Sequence, residues 1–196
     1  GKEADQFFSS VKFDSSFFIQ KQITYTAPFG GFKIDFPSKP LYVSSERNDK
    51  NRDEWLSSDS KGNDYFLFKA NIQQYDYIEE DSFELRLMEE SFKSENIISD
   101  TATGKISSFK NYPVLNAVYK HKDGSTLMVR YLIQGSNYYI LGVRTKSSNS
   151  DAAFLNSFEI KPFKYIEATK ERKDTTLGFT VQSPMFYSTA RDSSDR

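Results

Sequence analysis

Three runs of strand-forming residues between Tyr112 and Thr145 are separated by the two-residue turn sequences Asp123-Gly124 and Gly135-Ser136. The runs are rich in β-branched and aromatic residues, which favour strands. A glycine-containing dipeptide between two such runs favours a tight hairpin, because glycine tolerates positive φ. The segment is therefore predicted to form an antiparallel meander of three strands.

The turns also predict which residues face one another. With the first dipeptide at the centre of its turn, Tyr119 lies opposite Met128, and Ala117 lies opposite Arg130. Across the second turn, Arg130 lies opposite Leu141. Both faces of such a meander are largely apolar, so another element has to cover each face.

One long helix and two short helices are predicted, and they are the candidates to cover the two apolar faces of the meander. Apolar residues recur at helical spacing from Asp81 to Glu95, and Asp81 with Glu84 forms a pair that resembles a capping box. Short helices are expected at about Ser150 to Ser157 and Asp5 to Ser10. The fold class is therefore predicted as α+β, an α/β/α sandwich in which helices flank a central antiparallel sheet. The apolar stripe of the long helix is expected to comprise Phe83, Leu85, Leu87, Met88 and Phe92.

Four more strands are predicted before the long helix. Alternating apolar and polar residues flank a proline turn, and turn-forming residues separate the later runs. The predicted strands are Gly30 to Phe36, Leu41 to Ser45, Glu54 to Ser58 and Tyr65 to Gln73.

Two segments of the sequence recur at the same spacing. Phe7–Phe13 resembles Phe154–Ile160, and Gly31–Pro37 resembles Gly178–Pro184, each at an offset of 147 residues. The same offset for two separate matches favours a tandem repeat. The alternative is a single fold that uses two similar helix-strand-strand pieces.

The repeat predicts a division of the chain. Residues 1–26 would hold the last helix and strand of a preceding repeat or an N-terminal extension, and residues 27–170 would form a complete domain. Residues 171–196 would hold the first strand of a following repeat and a frayed tail. The strand at about 177–183 is expected to pair with a neighbouring sheet edge or with another chain.

Four segments carry a resemblance to a known family: Gly31–Pro37, Asn111–Val114, Val129–Leu141 and Phe154–Phe158. Together they resemble a PsbP-like domain, the superfamily that includes the photosystem II extrinsic subunit and a small Ran-binding import factor. The resemblance covers about residues 30–158 and implies a central antiparallel sheet between helices. It also implies a bacterial exported protein of unassigned function. The matching positions are apolar, glycine and proline residues, so they bear on fold rather than activity.

Charge and composition exclude several kinds of function. Lys and Arg total 26 and Asp and Glu total 27, so the net charge of −1 provides no field that would attract nucleic acid. The chain has no cysteine and one histidine, which excludes disulfides, thiolate chemistry and multi-histidine metal sites. No metal or cofactor is expected, and no apolar run is long enough to span a membrane.

Arg130 is the first candidate site residue, because the predicted register places its guanidinium in the middle of an apolar face. A buried guanidinium has to find carboxylate or carbonyl partners. One interpretation is an internal ion pair or a side chain that reaches solvent. The other is the floor of an anion pocket, with Tyr119 offering a ring face and a hydroxyl to the ligand.

Aromatic residues make up 16% of the chain, which could indicate a surface that stacks on sugar rings. Most of them alternate as strand residues and are expected in the core. Trp55, Tyr75 and Tyr77 lie in segments rich in polar residues and are the candidates for exposed aromatic side chains.

Other chemistry-bearing groups are expected to be solvated. The acidic residues of the long helix, apart from Glu84, are predicted to lie away from its apolar stripe, and no calcium-loop spacing occurs. His121 is expected to be an exposed hairpin residue. No serine-hydrolase, dinucleotide or P-loop motif is present, so no catalytic residues are assigned.

The leading functional hypothesis is a non-catalytic interaction or scaffold domain of an exported multidomain bacterial protein. Its partner would be a protein or an unknown small ligand. The alternative is a domain that binds a small anion or a glycan in a pocket around Arg130. The first residues, Gly1 to Asp5, contain neither a methionine nor an apolar signal, so a signal segment is expected to have been removed from a periplasmic or cell-surface protein.

Overall fold

A computed structural model describes residues 21–45, 52–71, 80–96, 98, 102–121, 123–146, 152–164, 171–174 and 178–182. Strands account for 56% of these residues and helices for 16%. The described strands are β1 (Ile23–Thr26), β2 (Gly31–Phe36), β3 (Leu41–Ser45), β4 (Arg52–Ser58), β5 (Asp64–Asn71), β6 (Lys105–Phe109), β7 (Tyr112–Lys120), β8 (Thr126–Gln134), β9 (Asn137–Thr145), β10 (Glu159–Lys161), β11 (Glu171–Asp174) and β12 (Phe179–Gln182). The described helices are α1 (Asp81–Glu95) and α2 (Ala153–Ser157).

The strands form three antiparallel sheets. The largest has seven strands in the order β3-β4-β5-β9-β8-β7-β6. A smaller sheet has the order β1-β2-β10, and β11 pairs with β12 in a separate hairpin. The predicted meander is confirmed as β7, β8 and β9, and Gly124 and Gly135 adopt the positive φ angles of 81° and 53° that their turns require.

One face of the seven-stranded sheet is covered by the three-stranded sheet and by α2. Because β2 alternates buried and half-buried residues, it presents one apolar row to the large sheet. Phe32 of this row contacts Trp55 edge to face at 5.0 Å and Phe158 in a stacked arrangement at 6.0 Å. The core on this side is formed by Ala27, Phe32, Ile34, Phe36, Trp55, Leu67, Val114, Met128, Leu132, Tyr139, Leu141, Val143, Phe154, Leu155 and Phe158.

The opposite face is covered by α1, whose predicted bounds are confirmed. Its buried apolar residues Leu85, Met88 and Phe92 pack against β7 and β8. Phe83 and Leu87, which were predicted to belong to the buried stripe, are exposed. The predicted side-chain cap is also wrong, since the residue that precedes the helix is Glu80 and no side chain caps it.

The predicted α/β/α sandwich is wrong. The prediction used helices to cover both faces, but a three-stranded sheet provides most of the cover on one of them. In the part of the chain that the structure describes, α2 contributes only five residues to that face, and the helix predicted at about residues 5–10 lies outside this part. The described fold is mostly β.

The predicted register is correct on one side of β8 and wrong on the other. Arg130 pairs with Leu141 of β9, as predicted, but with Asn116 of β7 rather than Ala117. The cause is the first turn. It spans His121 to Ser125, with the His121 amide donating to the Ser125 carbonyl at 3.0 Å, so it is longer than the predicted two-residue turn. A shift of one residue moves every side chain of β7 to the other face.

The β11–β12 hairpin has the same register as β1–β2 after an offset of 147 residues. Thr24 pairs with Asp35 in the first hairpin, and Glu171 pairs with Gln182 in the second. The strand predicted at 177–183 is therefore described as β12, and its partner is β11.

A first prediction concerns the contact between Phe66 and Gly142, which face each other across β5 and β9. The Phe66 ring occupies the space that a Cβ atom at position 142 would need. Gly142→Ala is therefore expected to lower the free energy of unfolding by about 1–3 kcal/mol, measured by urea denaturation.

The double variant Phe66→Leu/Gly142→Ala tests the cause. It should lose less stability than the sum of the two single variants, because the smaller side chain leaves room for the methyl group. Additive losses would show that the ring does not limit this position.

Candidate functional site

Arg130 lies on the face covered by the three-stranded sheet and is only 8% exposed. Its Nε atom donates to Asn116 Oδ1 at 2.8 Å, and its two terminal nitrogens donate to the Leu155 carbonyl at 2.8 Å and to Asn156 Oδ1 at 3.2 Å. Its Cζ atom lies 4.1 Å from the centre of the Phe109 ring. Burial lowers the pKa of the Arg130 guanidinium. Within the described residues the partners of Arg130 are neutral groups, and two of them belong to α2.

A second cation reaches the same end of α2. Lys110 donates from Nζ to the Phe158 carbonyl at 2.8 Å, and its Nζ lies 5.0 Å from the Phe109 ring centre. Carbonyl groups at a helix C-terminus carry partial negative charge and lack intrahelical donors. The two cations therefore satisfy these carbonyls and fasten α2 to the large sheet.

Tyr119 lies on the other face of the sheet and is fully buried beneath α1. The one-residue difference in the β7–β8 register is what separates it from Arg130. The structure therefore does not bring together the two residues proposed for an anion pocket. Tyr119 instead donates a hydrogen bond to Glu89 Oε1 at 2.8 Å, and its hydroxyl lies 3.1 Å from that of Tyr131.

Glu89 is the centre of this polar cluster and is only 2% exposed. The Gly104 amide donates to its Oε1 at 2.6 Å, and Arg86 donates to its Oε2 at 3.0 Å. Arg86 also donates to the Gly104 carbonyl at 2.7 Å. Both carboxylate oxygens are bonded, so Glu89 ties α1 to the sheet and to the segment before β6.

The prediction that Glu89 faces solvent is wrong, although the sequence contained the signal. Glu89 follows Leu85 by four positions and precedes Phe92 by three, which places all three residues on one helical face. The prediction counted Phe83 and Leu87 in the apolar stripe, and these two residues moved the predicted buried face of the helix away from Glu89.

The candidate exposed aromatic residues do not form a surface in the described structure. Trp55 is 4% exposed, which contradicts its prediction as an exposed residue. Its ring centre lies 5.3 Å from that of Tyr42 and 5.8 Å from that of Tyr25. Tyr75 and Tyr77 lie outside the described residues.

A small polar cleft of about 190 Å³ lies at the end of the β5–β9 pair. Its charged groups are Asp64, Arg144 and Lys146, and Arg144 is paired with Asp123 at 2.6 Å. Hydrogen bonds from the hydroxyl and amide of Ser125 hold the pKa of Asp123 far below its usual range, and Arg144 adds to this effect. The neighbouring His121 is half-buried rather than exposed. The ion pair between Asp123 and Arg144 joins the turn between β7 and β8 to the end of β9.

Neither a metal-binding cluster nor a membrane-spanning helix is found among the described residues. No group of three or more histidine or acidic side chains in the described ranges is close enough to hold a metal ion. No helix among these residues is long and apolar enough to cross a membrane.

Strand β3 and its neighbour β4 expose apolar side chains at one edge of the large sheet. We define the β3 strip as Leu41, Val43 and Leu56, which are 63%, 40% and 36% exposed and lie on the α1 side. Charged residues border it, since Arg52 pairs with Glu54 and with Glu95, each at 2.8 Å. An apolar surface with a charged border is typical of a protein interaction site.

No family model matches the chain, and no curated protein is significantly similar to it. The resemblance to PsbP-like domains therefore stays a prediction.

A second prediction tests the Glu89 cluster. Glu89→Ala would leave the buried Gly104 amide and Tyr119 hydroxyl without their acceptor, and is expected to lower the free energy of unfolding by about 2–5 kcal/mol. The matched control Glu90→Ala removes an exposed carboxylate and should change stability by less than about 0.5 kcal/mol. Equal losses in urea denaturation would contradict a stabilising role for the cluster.

A third prediction concerns alkaline pH. Burial raises the pKa of Tyr119 and Tyr131 above the ordinary value of 10.0. Above pH 10 these phenols stay neutral in the folded chain but ionise in the unfolded chain. Their contribution to the free energy of unfolding is therefore complete below pH 10 and falls as the pH rises further. In that range each of the two buried tyrosines should lower the free energy of unfolding by about 1.4 kcal/mol per pH unit.

Urea denaturation between pH 9 and pH 11.5 measures this slope. Tyr131→Phe removes one of the buried phenols, so its stability should fall less steeply with rising pH than that of the wild type. An unchanged slope in this variant would contradict the assignment.

Proposed function

We propose that this chain is a non-catalytic interaction unit of an exported multidomain protein, and that its partner is a protein segment that adds a strand to β3. The observation that carries the proposal is the β3 strip. Export and a multidomain parent follow from the family resemblance and the 147-residue repeat rather than from the strip itself.

The edge of β3 favours strand addition. The strand reads Leu-Tyr-Val-Ser-Ser and has no charged residue, and in the described structure its pairing partner is β4. Proteins commonly protect an edge strand with lysine, proline inside the strand or a bulge, because unpaired backbone groups template further pairing. An uncharged edge with exposed apolar side chains is suited to β-augmentation.

The two faces of β3 indicate the chemistry of the partner. An added strand would place alternate side chains beside Leu41 and Val43 on one face, where apolar residues fit. On the other face it would lie beside Tyr42, whose hydroxyl donates to Asp53 at 2.8 Å. The partner is therefore an extended segment with apolar residues at every second position.

The hairpin registers support the repeat. The β1–β2 and β11–β12 pairings coincide after an offset of 147 residues, the same offset found between the sequence segments. Glycines lie at equivalent positions, since Gly31 and Gly178 both have positive φ. Coincidence of the pairing as well as the sequence favours duplicated units over two similar pieces of one fold.

A fourth prediction tests the β3 edge. Peptides selected from a displayed library against the wild-type protein should have alternating apolar residues, and Val43→Lys should weaken their binding at least about tenfold in fluorescence anisotropy. Lysine at position 43 faces Glu54 across the strand pair, so the fold should tolerate it.

Val118→Lys is the matched control, because Val118 is a similarly exposed strand valine away from β3. It should leave binding unchanged, and both variants should unfold within about 0.5 kcal/mol of the wild type. Selection of no peptide, or equal effects of the two lysines, would contradict the proposed surface.

A further inference from the structure

Strand β3 has the features that the proposed function requires of its own partner. Its side chains alternate, with Leu41 and Val43 on the α1 side and Tyr42 and Ser44 on the side of the three-stranded sheet. All four residues are exposed, Leu41 by 63%, Tyr42 by 53% and Val43 by 40%. A second copy of β3 is therefore itself an extended segment with apolar residues at every second position.

The charges around β3 permit two copies of the strand to approach each other. Its five residues include no acidic or basic side chain, so antiparallel self-pairing brings no like charges face to face within the strand. On the neighbouring strand β4, Asp53 accepts a hydrogen bond from the Tyr42 hydroxyl at 2.8 Å. Glu54 is paired with Arg52, also at 2.8 Å. The β4 carboxylates behind the edge thus already have partners in their own copy.

A two-fold axis through Tyr42 matches the side chains of the two strands. It places Leu41 of each copy opposite Val43 of the other, so that apolar side chains meet on the α1 side. On the other side the two Tyr42 rings lie opposite each other, and the centre of each ring lies 5.3 Å from that of Trp55 in its own copy. An axis through Val43 would instead place Tyr42 opposite Ser44. The axis through Tyr42 is therefore the better match.

We propose that the partner of β3 is a second copy of this chain, paired antiparallel through β3 about a two-fold axis at Tyr42. The two seven-stranded sheets then form one continuous sheet across the dimer. This inference rests on the proposed function, because it names the partner of the same edge. A two-fold axis uses the β3 edge of both copies, so the dimer is closed and leaves no β3 edge for further pairing.

Sedimentation velocity on the wild-type protein tests the association itself. One pair of five-residue strands makes a small interface, and small interfaces are weak, so the dimer is expected to form between roughly 10 and 500 µM. Val43→Lys should stay monomeric over this range, because its lysine lies opposite Leu41 of the second copy. Val118→Lys changes an exposed strand valine away from β3 and should associate like the wild type.

Two results of the sedimentation experiment would overturn the proposal. One is a wild-type protein that is still monomeric at about 500 µM. The other is equal association of Val43→Lys and Val118→Lys, which would place the contact elsewhere on the surface.

Single-cysteine variants test the position of the axis, because the chain has no cysteine of its own. Tyr42→Cys places its thiol opposite the same thiol in the second copy. The two Cα atoms of an antiparallel pair are about 4.5–5.5 Å apart, which is within the disulfide limit. The matched control Ser44→Cys lies on the same face of β3, but its two copies would be four positions, or about 13 Å, apart along the strands.

Oxidation of each variant in a glutathione buffer at about 100 µM, followed by non-reducing electrophoresis, measures the disulfide-linked dimer. Tyr42→Cys should yield roughly tenfold more linked dimer than Ser44→Cys. Equal yields, or a higher yield from Ser44→Cys, would overturn the axis at Tyr42. The sedimentation of the wild type depends on neither variant, so a cysteine variant that failed to fold would not remove the test.

The result can be separated from the peptide test of the proposed function. Peptide selection uses the protein well below the concentrations at which the dimer forms, so β3 is accessible to peptides. Selected peptides that are sensitive to Val43→Lys, together with a wild-type protein that stays monomeric, would support strand addition and overturn self-pairing. A dimer linked through position 42, with no peptide selected, would support self-pairing and contradict a preference for other segments.

Discussion

Strand β8 buries seven consecutive residues, Leu127 to Ile133, so both of its faces must be kept from water. In a strand, successive side chains point to opposite faces, and a sheet with one solvated face would alternate buried and exposed residues. The other described elements are arranged around this requirement. Helix α1 covers one face, and the three-stranded sheet with α2 covers the other.

Polar contacts determine where each cover sits. Apolar packing has no preferred direction, whereas a buried charge requires partners at particular positions. Arg130 reaches from the sheet to α2, and Glu89 reaches from α1 to Tyr119 and to the segment before β6. Among the described residues, each face therefore has one buried charged residue that joins the sheet to its cover. These two residues fit a structural role, and neither requires a ligand.

Local patterns predicted the elements better than their arrangement. The bounds of α1 and β3 and the β8–β9 register followed from periodicity and turn residues, which depend on neighbours in the sequence. The same patterns did not predict which element covers the second face of the sheet, because apolar helices and apolar strands can both shield an apolar face from water. The predicted β7–β8 register was also wrong, because the backbone hydrogen bond from the His121 amide to the Ser125 carbonyl sets the length of the loop. That single step assigned Tyr119 to the wrong face and created the predicted pocket. Trp55 was predicted to be exposed because polar residues lie near it in the sequence, but these residues do not indicate which sheet packs on the strand.

The hairpins β1–β2 and β11–β12 share a pairing register but differ in sequence and in burial. β1 reads Ile-Thr-Tyr-Thr and β11 reads Glu-Arg-Lys-Asp, yet each pairs with its partner in the same register. Side-chain composition therefore does not set this register, and the connecting turn with its glycine is the shared feature. Burial does differ, since Phe32 is 1% exposed and the equivalent Phe179 is 39% exposed. β2 and β12 thus have equivalent apolar residues, and what separates them is the sheet packed against β2. A hairpin gains most of its stability from such packing, so β12 has the pattern of a strand that belongs against another layer.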